Sequence, residues 1–166
     1  MIEVRTDDLA FVEADAIARP VDAELRATTP LMRRLEIAGG DGLARHLRVN
    51  DPLAVGSAVV TPAGALGVEL LIHGVVSSDN EPVSRATVRR AVESSLQRAA
   101  DWGIEHLALT PFGLGVGNLD LEDAADILAD AIRRHRQAAK CPTTITIVVE
   151  TELERSVFAR VGGGAT

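Results

Sequence analysis

Aromatic side chains are scarce in this chain: 166 residues hold three Phe, one Trp and no Tyr. Recognition of single-stranded nucleic acid by base stacking therefore has little to work with. Positive charge is also in deficit, with 17 Lys and Arg against 24 Asp and Glu and a formal charge of −7. That balance argues against sequence-independent nucleic-acid binding, which needs cations to displace counterions. No binding of free nucleic acid is expected. Cysteine is nearly absent. Cys141 stands alone, which excludes an internal disulfide and a multi-thiolate zinc site. It follows a helical segment, precedes Pro142 and reads as a small buried apolar residue, with no cluster of charge or histidine in sequence to mark it as reactive. Long hydrophobic runs are missing too. Residues 68–76 are interrupted by Glu69 and His73 and are too short to span a bilayer. The start of the chain passes directly into Ile2-Glu3-Val4 and acidic residues, without the pattern of a signal peptide. The expectation is a cytoplasmic protein with no membrane partner, no metal and no cofactor.

The rest is ordinary globular composition: 46% hydrophobic and 25% charged, with a core that must be aliphatic. The length suits one domain. Residues 1–161 are expected to form it, with 162–166 as a flexible C-terminal tail. Alternation predicts strands at 2–6 and 15–18, the second ended by Arg19-Pro20. A helical but untidy stretch covers 22–48, broken at Gly39-Gly40-Asp41-Gly42. Strands follow at 56–61 and 69–76, the latter apolar enough to be central. Ser84 is placed to cap a helix that stops at Gly103. A strand at 104–110 leads into a glycine-rich loop, and Asp120 caps a long helix. The pattern at 143–149 is the cleanest strand. Thr151 with Glu154 forms a capping box for a last helix. Strands alternating with helices define an α/β domain with a mostly parallel sheet covered on both faces.

The chemistry concentrates at residues 107–118, where three of the 14 glycines fall within five positions: Gly113, Gly115 and Gly117. A strand enters this loop and a helix leaves it. Ligands of open α/β sheets sit outside the carboxyl ends of the strands. Glycines let successive backbone N–H groups turn toward one point and admit a phosphate close to the main chain. The loop is a candidate phosphate cradle; a tight strand-to-helix turn is the alternative. It matches neither the dinucleotide-binding fingerprint nor the P-loop.

The order of these pieces resembles the macrodomain family, which binds ADP-ribose. Asp8-Leu9 after the first strand matches the family's Asp-Ile pair. Residues 15–22, Asp-Ala-Ile-Ala-Arg-Pro-Val-Asp, stand where the family has Asp-Ala-Ile followed by Asn-Ala-Ala-Asn. Gly56, Ala58, Thr61 and Gly64 precede Leu71-Ile72-His73, as in the family's glycine–threonine stretch leading to Ile-His. The loop Gly113-Leu114-Gly115-Val116-Gly117 matches its phosphate loop. The resemblance implies a three-layer α/β/α fold with a six-stranded mixed sheet and an ADP-ribose cleft at the strand ends. It implies that Asp8 accepts a hydrogen bond from the adenine amino group and that Leu9 presents its backbone amide. Gly113, Leu114, Gly115 and Val116 would give amides to the pyrophosphate. Amides suit phosphate without added positive charge, which reconciles an acidic chain with an anionic ligand. The bound partner would be ADP-ribose or an ADP-ribosylated macromolecule.

The chain also departs from that pattern. The family's second phosphate-facing loop is a glycine run; here it reads Thr28-Thr29-Pro30-Leu31, with side chains where the backbone should approach and a proline that has no N–H. The Asn that orients the distal ribose in hydrolytic members falls on Asp22. That residue is a candidate general base toward water, or else a helix N-cap. Met32 replaces an Asp that some of those members carry. Arg33 and Arg34 could clamp phosphate, or form a solvated helix face. Three functions compete: binding of ADP-ribose or a related adenine nucleotide with weak or no hydrolysis, an ADP-ribosyl hydrolase using Asp22, and an interaction module without nucleotide.

Overall fold

The computed structural model describes residues 1–115 and 119–163. The chain runs β1 (Ile2–Thr6), a 3-10 turn (Leu9–Phe11), β2 (Ala16–Asp22), α1 (Pro30–Ala44), β3 (Ala58–Pro62) and β4 (Leu70–Ser77). It continues with α2 (Arg85–Asp101), β5 (His106–Leu109), α3 (Leu121–Ala138), β6 (Thr144–Val149) and α4 (Glu152–Gly163). The six strands lie in the order β1-β6-β5-β2-β4-β3. Every neighbouring pair is parallel except β3 with β4. This is the expected six-stranded mixed sheet.

Strand alternation builds the three layers, because successive side chains point to opposite faces. Ala16, Ala18, Leu107, Leu109, Ile145 and Ile147 pack with residues of α2, α3 and α4 on one face. Ile17, Leu71, Ala108 and Val148 pack with α1 and the 3-10 turn on the other. The caps fall where the sequence puts them: Ser84 on α2, Asp120 on α3, and Thr151 accepting from the Glu154 amide at 3.1 Å. Helix α4 runs through Gly163, two residues into the stretch expected as tail. Cys141 is half-buried rather than buried. It lies in the α3–β6 connection, where its carbonyl accepts from His135 Nε2 at 2.7 Å.

Two corrections concern β2 and α1. Strand β2 does not end at Arg19-Pro20; it continues to Asp22. Pro20 is tolerated because β5 pairs with β2 only through Ala18. Alternate amides of a strand face the same side, and the Asp22 amide goes to the Arg26 carbonyl at 3.1 Å, away from β4. The missing N–H of Pro20 faces that same open side and costs no ladder bond. Helix α1 then starts at Pro30, eight residues later than expected, with Thr29 as its cap. The glycines at 39–42 bend α1 rather than ending it: Gly40 has φ 65°. The bend receives the β3–β4 connection. Gly64 has φ 63°, and a Cβ there would fall onto the Gly39 carbonyl and the Leu43 amide. The Ala65 amide donates to the same Gly39 carbonyl at 2.9 Å.

Arg19, in the middle of β2, is fully buried on the α1 face. Its Nε donates to His73 Nδ1 on β4 at 2.9 Å, and its Nη1 pairs with Glu36 Oε1 on α1 at 2.7 Å. Because Nδ1 of His73 accepts, Nε2 carries the proton and donates to Thr61 Oγ1 on β3 at 2.8 Å. Thr61 donates onward to the Pro62 carbonyl at 3.0 Å. Burial lowers the Arg19 guanidinium from its ordinary value, opposed by the hydrogen bond and charge of Glu36. Burial first, and then the Arg19 charge, hold His73 well below the ordinary histidine range. It is a satisfied core histidine in a central strand.

A methyl at Gly64 meets backbone in a left-handed conformation, so Gly64→Ala should destabilise the fold by about 2 kcal/mol or more. Gly67→Ala, with open space around it, should stay within about 0.5 kcal/mol; urea unfolding of both variants checks the contrast. His73 predicts a pH dependence. Below the unfolded histidine value of about 6.5, the unfolded chain binds a proton that the native chain refuses. His73 therefore contributes stability that is full above that pH and is lost, at about 1.4 kcal/mol per pH unit, as pH falls below it. The unfolding free energy of wild type relative to His73→Asn should fall with that slope as pH drops from 6.5 to 5; parallel curves would show a native His73 that titrates like the unfolded residue.

Candidate functional site

The parallel strands all end at one edge of the sheet, and a cleft of about 650 Å³ opens there. Thr110 and Pro111 after β5, Glu150 and Thr151 after β6, and Pro20 in the last part of β2 line it. Such a crevice at the carboxyl ends of the strands is where open α/β sheets bind ligands. Three helix N-termini meet in it: Thr29, Pro30 and Leu31 of α1, Asp120 and Leu121 of α3, and Thr151 and Glu154 of α4. Each N-terminus carries the equivalent of roughly half a positive charge from aligned peptide dipoles.

The three ends are not equivalent. Helix α3 has Glu122 and Asp123 in its first turn, and α4 has Glu152 and Glu154. Helix α1 has no acidic residue there. The α1 end is therefore the one whose dipole no acidic side chain of its own first turn offsets. Arg34, one turn further along α1, is the one basic side chain lining the cleft among the described residues. Its Nη2 donates to Glu150 Oε1 at 2.8 Å, so it is partly neutralised. Arg33 faces a different depression, beside Arg26 and Glu36.

The glycine loop lies opposite the α1 end. Gly113 and Gly115 have φ of 91° and 82°, the left-handed region that favours glycine. A Cβ on Gly113 would stand 2.9 Å from side-chain atoms of both Leu119 and Val88. A Cβ on Gly115 would stand 3.2 Å from Thr29 Cγ2. The two loops that the sequence marks as phosphate-facing thus lie close enough that a side chain at Gly115 would meet Thr29. Val116 and Gly117, expected in the same cradle, lie outside the described residues.

The structure brings some sequence-predicted residues together and separates others. Thr29, Leu31, Leu114 and Gly115 line one cleft. Gly113 is buried behind it, and Thr28 is half-buried just before the α1 cap without lining it. Asp8 caps the 3-10 turn, its Oδ1 accepting the Ala10 amide at 3.0 Å. It stands at the same sheet edge as the cleft, since the preceding Asp7 amide donates to the Val149 carbonyl at 3.4 Å. Leu9 is buried in the core under α1. Neither Asp8 nor Leu9 is among the cleft-lining residues.

Asp22 is placed differently. It caps no helix. Its Oδ1 accepts the amides of Glu24 and Arg26, each at 2.9 Å, and its Oδ2 pairs with Arg26 Nε at 2.7 Å. These bonds close the turn after β2, in which Leu25 takes φ 63° with its side chain buried. The hydrogen bond from Asp22, and then its charge, raise the Arg26 guanidinium above its ordinary value. Asp22 lines a second depression of about 260 Å³ with Arg26, Leu53 and Asp79. Among the described residues no group of three His, Cys, Asp or Glu is placed to hold a metal ion, and no helix is long and apolar enough to cross a membrane. Sequence reasoning missed Pro20, Glu150 and Asp120 as cleft residues. Their signal was positional: Pro20 lies near the end of β2, Glu150 follows β6, and Asp120 caps the helix that follows the glycine loop.

This fold and cleft define an α/β protein with a crevice at the strand ends, built from a glycine loop and helix N-termini. The family model for the macro domain matches residues 22–128, and the chain belongs to that family. An uncharacterized protein of Mycobacterium tuberculosis (strain ATCC 25618 / H37Rv) is 32% identical over 164 residues, covering 99% of this chain and 42% of its own. The chain thus spans less than half the length of that relative. An uncharacterized protein of Aeropyrum pernix is 30% identical over 155 residues, covering 92% of this chain and 80% of its own. Among solved structures, the Trypanosoma brucei macrodomain in complex with ADP-ribose superposes with a TM-score of 0.85 at 17% identity, over 98% of this chain and 69% of that one. The Oceanobacillus iheyensis macrodomain with ADP gives 0.84 at 15% identity, over 98% and 90%.

Asp22→Ala removes an acceptor shared by two turn amides and should lower stability by about 1–2 kcal/mol. Asp22→Asn keeps Oδ1 and should recover part of that loss; thermal unfolding of the pair checks it.

Proposed function

We propose that the cleft binds ADP-ribose or a related adenine nucleotide, and that the protein acts by binding, with weak or no hydrolysis. The observation that carries this reading is the apposition of Gly115 and the acid-free N-terminus of α1. Amides of Gly113, Leu114 and Gly115 and the α1 dipole would hold the pyrophosphate without a cluster of cations. Acidic groups at Glu150, Glu154 and Asp120 leave the α1 end as the favourable place for negative charge. Asp8 would accept from the adenine amino group through its second carboxylate oxygen, with Leu9 presenting its amide. Family membership and the two nucleotide-bound neighbours of the same fold support the ligand class.

The state of Asp22 favours binding over turnover. A general base needs an oxygen aimed at water beside the scissile bond. The Asp22 carboxylate is occupied by two amides and a guanidinium, and it lines another depression. The ligand would be the free nucleotide or a macromolecule that carries it.

Isothermal titration with ADP and with ADP-ribose tests the reading. Saturable heat with at least one of them is expected. Gly115→Val should weaken it by about tenfold or more, because a side chain there is strained and meets Thr29. Asp22→Ala should leave affinity within about threefold, with no change in the negligible turnover of an ADP-ribosylated protein. No heat and no thermal shift with either nucleotide at millimolar concentration would overturn the reading in favour of an interaction module without nucleotide.

A further inference from the structure

We infer that Arg34 fits this cleft to an adenine nucleotide that carries a further phosphate on its adenosine ribose: the guanidinium exchanges Glu150 for that phosphate. The inference rests on the nucleotide reading above and narrows its ligand.

The place follows from the sheet order. The strands run β1-β6-β5-β2 across this part of the sheet. The end of β6 therefore lies between Asp8, two residues past β1, and the glycine loop that follows β5. Glu150 directly follows Val149, the last residue of β6, which pairs with Thr6 on β1. Helix α1 leads to the same spot. Its cap Thr29 stands where a side chain on Gly115 would meet it. One turn past the start of the helix, Arg34 Nη2 donates to Glu150 Oε1 at 2.8 Å. Both side chains line the cleft. With adenine at Asp8 and the pyrophosphate at the loop amides, the adenosine ribose would lie at the end of β6, beside this pair.

A carboxylate and a guanidinium suit a ribose in two forms. In nucleotide sites a carboxylate accepts hydrogen bonds from the ribose hydroxyls, and an arginine accommodates a phosphate attached there. Arginine binds phosphate with two parallel N–H bonds, against a single bond to Glu150. The exchange costs little, because the ion pair is open to water: the Arg34 side chain is 62% exposed and that of Glu150 49%. Pairs so exposed are screened and contribute little. Among the described residues Glu150 has no hydrogen-bond partner besides Arg34, so it can turn to solvent when the phosphate arrives.

No other cationic side chain among the described residues lines the cleft. On the nucleotide reading the loop amides and the α1 end are taken by the pyrophosphate. A phosphate on the ribose therefore has Arg34 as its counter-charge. Arg33, the preceding residue, lines the depression with Arg26 and Glu36 instead.

Titration calorimetry of the whole chain tests this, with ADP and ADP-ribose each compared with its form phosphorylated at the 2′ or the 3′ oxygen of the adenosine ribose. Wild type should bind at least one phosphorylated form about tenfold more tightly than its parent, and the two arms show which oxygen carries the phosphate. Arg34→Gln should reduce that ratio to about twofold or less. Arg33→Gln should leave the ratio as in wild type. Glu150→Gln, which removes the competing carboxylate, should raise affinity for the phosphorylated form by about threefold or more. No preference for either phosphorylated form, or a preference that survives Arg34→Gln, overturns the inference and leaves the nucleotide reading standing. Heat from none of these nucleotides with wild type overturns both.

Discussion

A guanidinium buried in the middle of the sheet constrains much of this molecule. Taking Arg19 out of water is costly unless its charge is paired and its N–H groups are bonded. Glu36 supplies the charge from α1, His73 an acceptor from β4, and Thr61 completes the chain from β3, while Arg19 Nη2 is buried without a partner among the described residues. Three strands and a helix must therefore be in register for the charge to be tolerated. A displaced α1 would leave the guanidinium buried and unpaired. This interaction fixes where α1 lies, and with it the position of Thr29 and Pro30 at the mouth of the cleft.

The cleft then shows how a chain with a charge of −7 can be arranged to favour an anion. On the proposed reading an anion is held there by backbone more than by side chains. Helix ends and loop amides are fixed dipoles that need no counter-charge and no reorganisation. The acidic residues are distributed unevenly over the three helix ends, which gives the cleft a direction. Negative charge is favoured at α1, beside Gly115, and disfavoured toward α3 and α4.

Much of the fold was legible because its signals are local. Alternation marks β1, β4, β5 and β6, and capping residues mark the starts of α2, α3 and α4. Their physical causes act within a few residues of chain. Strand β2 was read too short because a charge and a proline are poor strand residues in isolation. Both are accommodated by partners far away in sequence: Glu36 and His73 for Arg19, and the early end of β5 for Pro20. The late start of α1 has the same origin, since the turn after β2 depends on Leu25 burying itself among Val21, Ala23 and Val75. Gly39 and Gly40 read as a helix stop because the backbone of Gly64, which fills the bend, is invisible to local pattern.

The sequence by itself determined the class of fold, the glycine loop after β5 and the family pattern that points to a nucleotide. Those depend on periodicity, capping and spacing, which a linear chain carries in full. Only the tertiary structure decided which candidates share a site. It brought Thr29 close to Gly115, put three helix ends in one cleft and turned Asp22 into a turn-closing acceptor in a neighbouring depression. Adjacency across a sheet edge follows from strand order and from the burial of Arg19, and neither is written in any short stretch of residues.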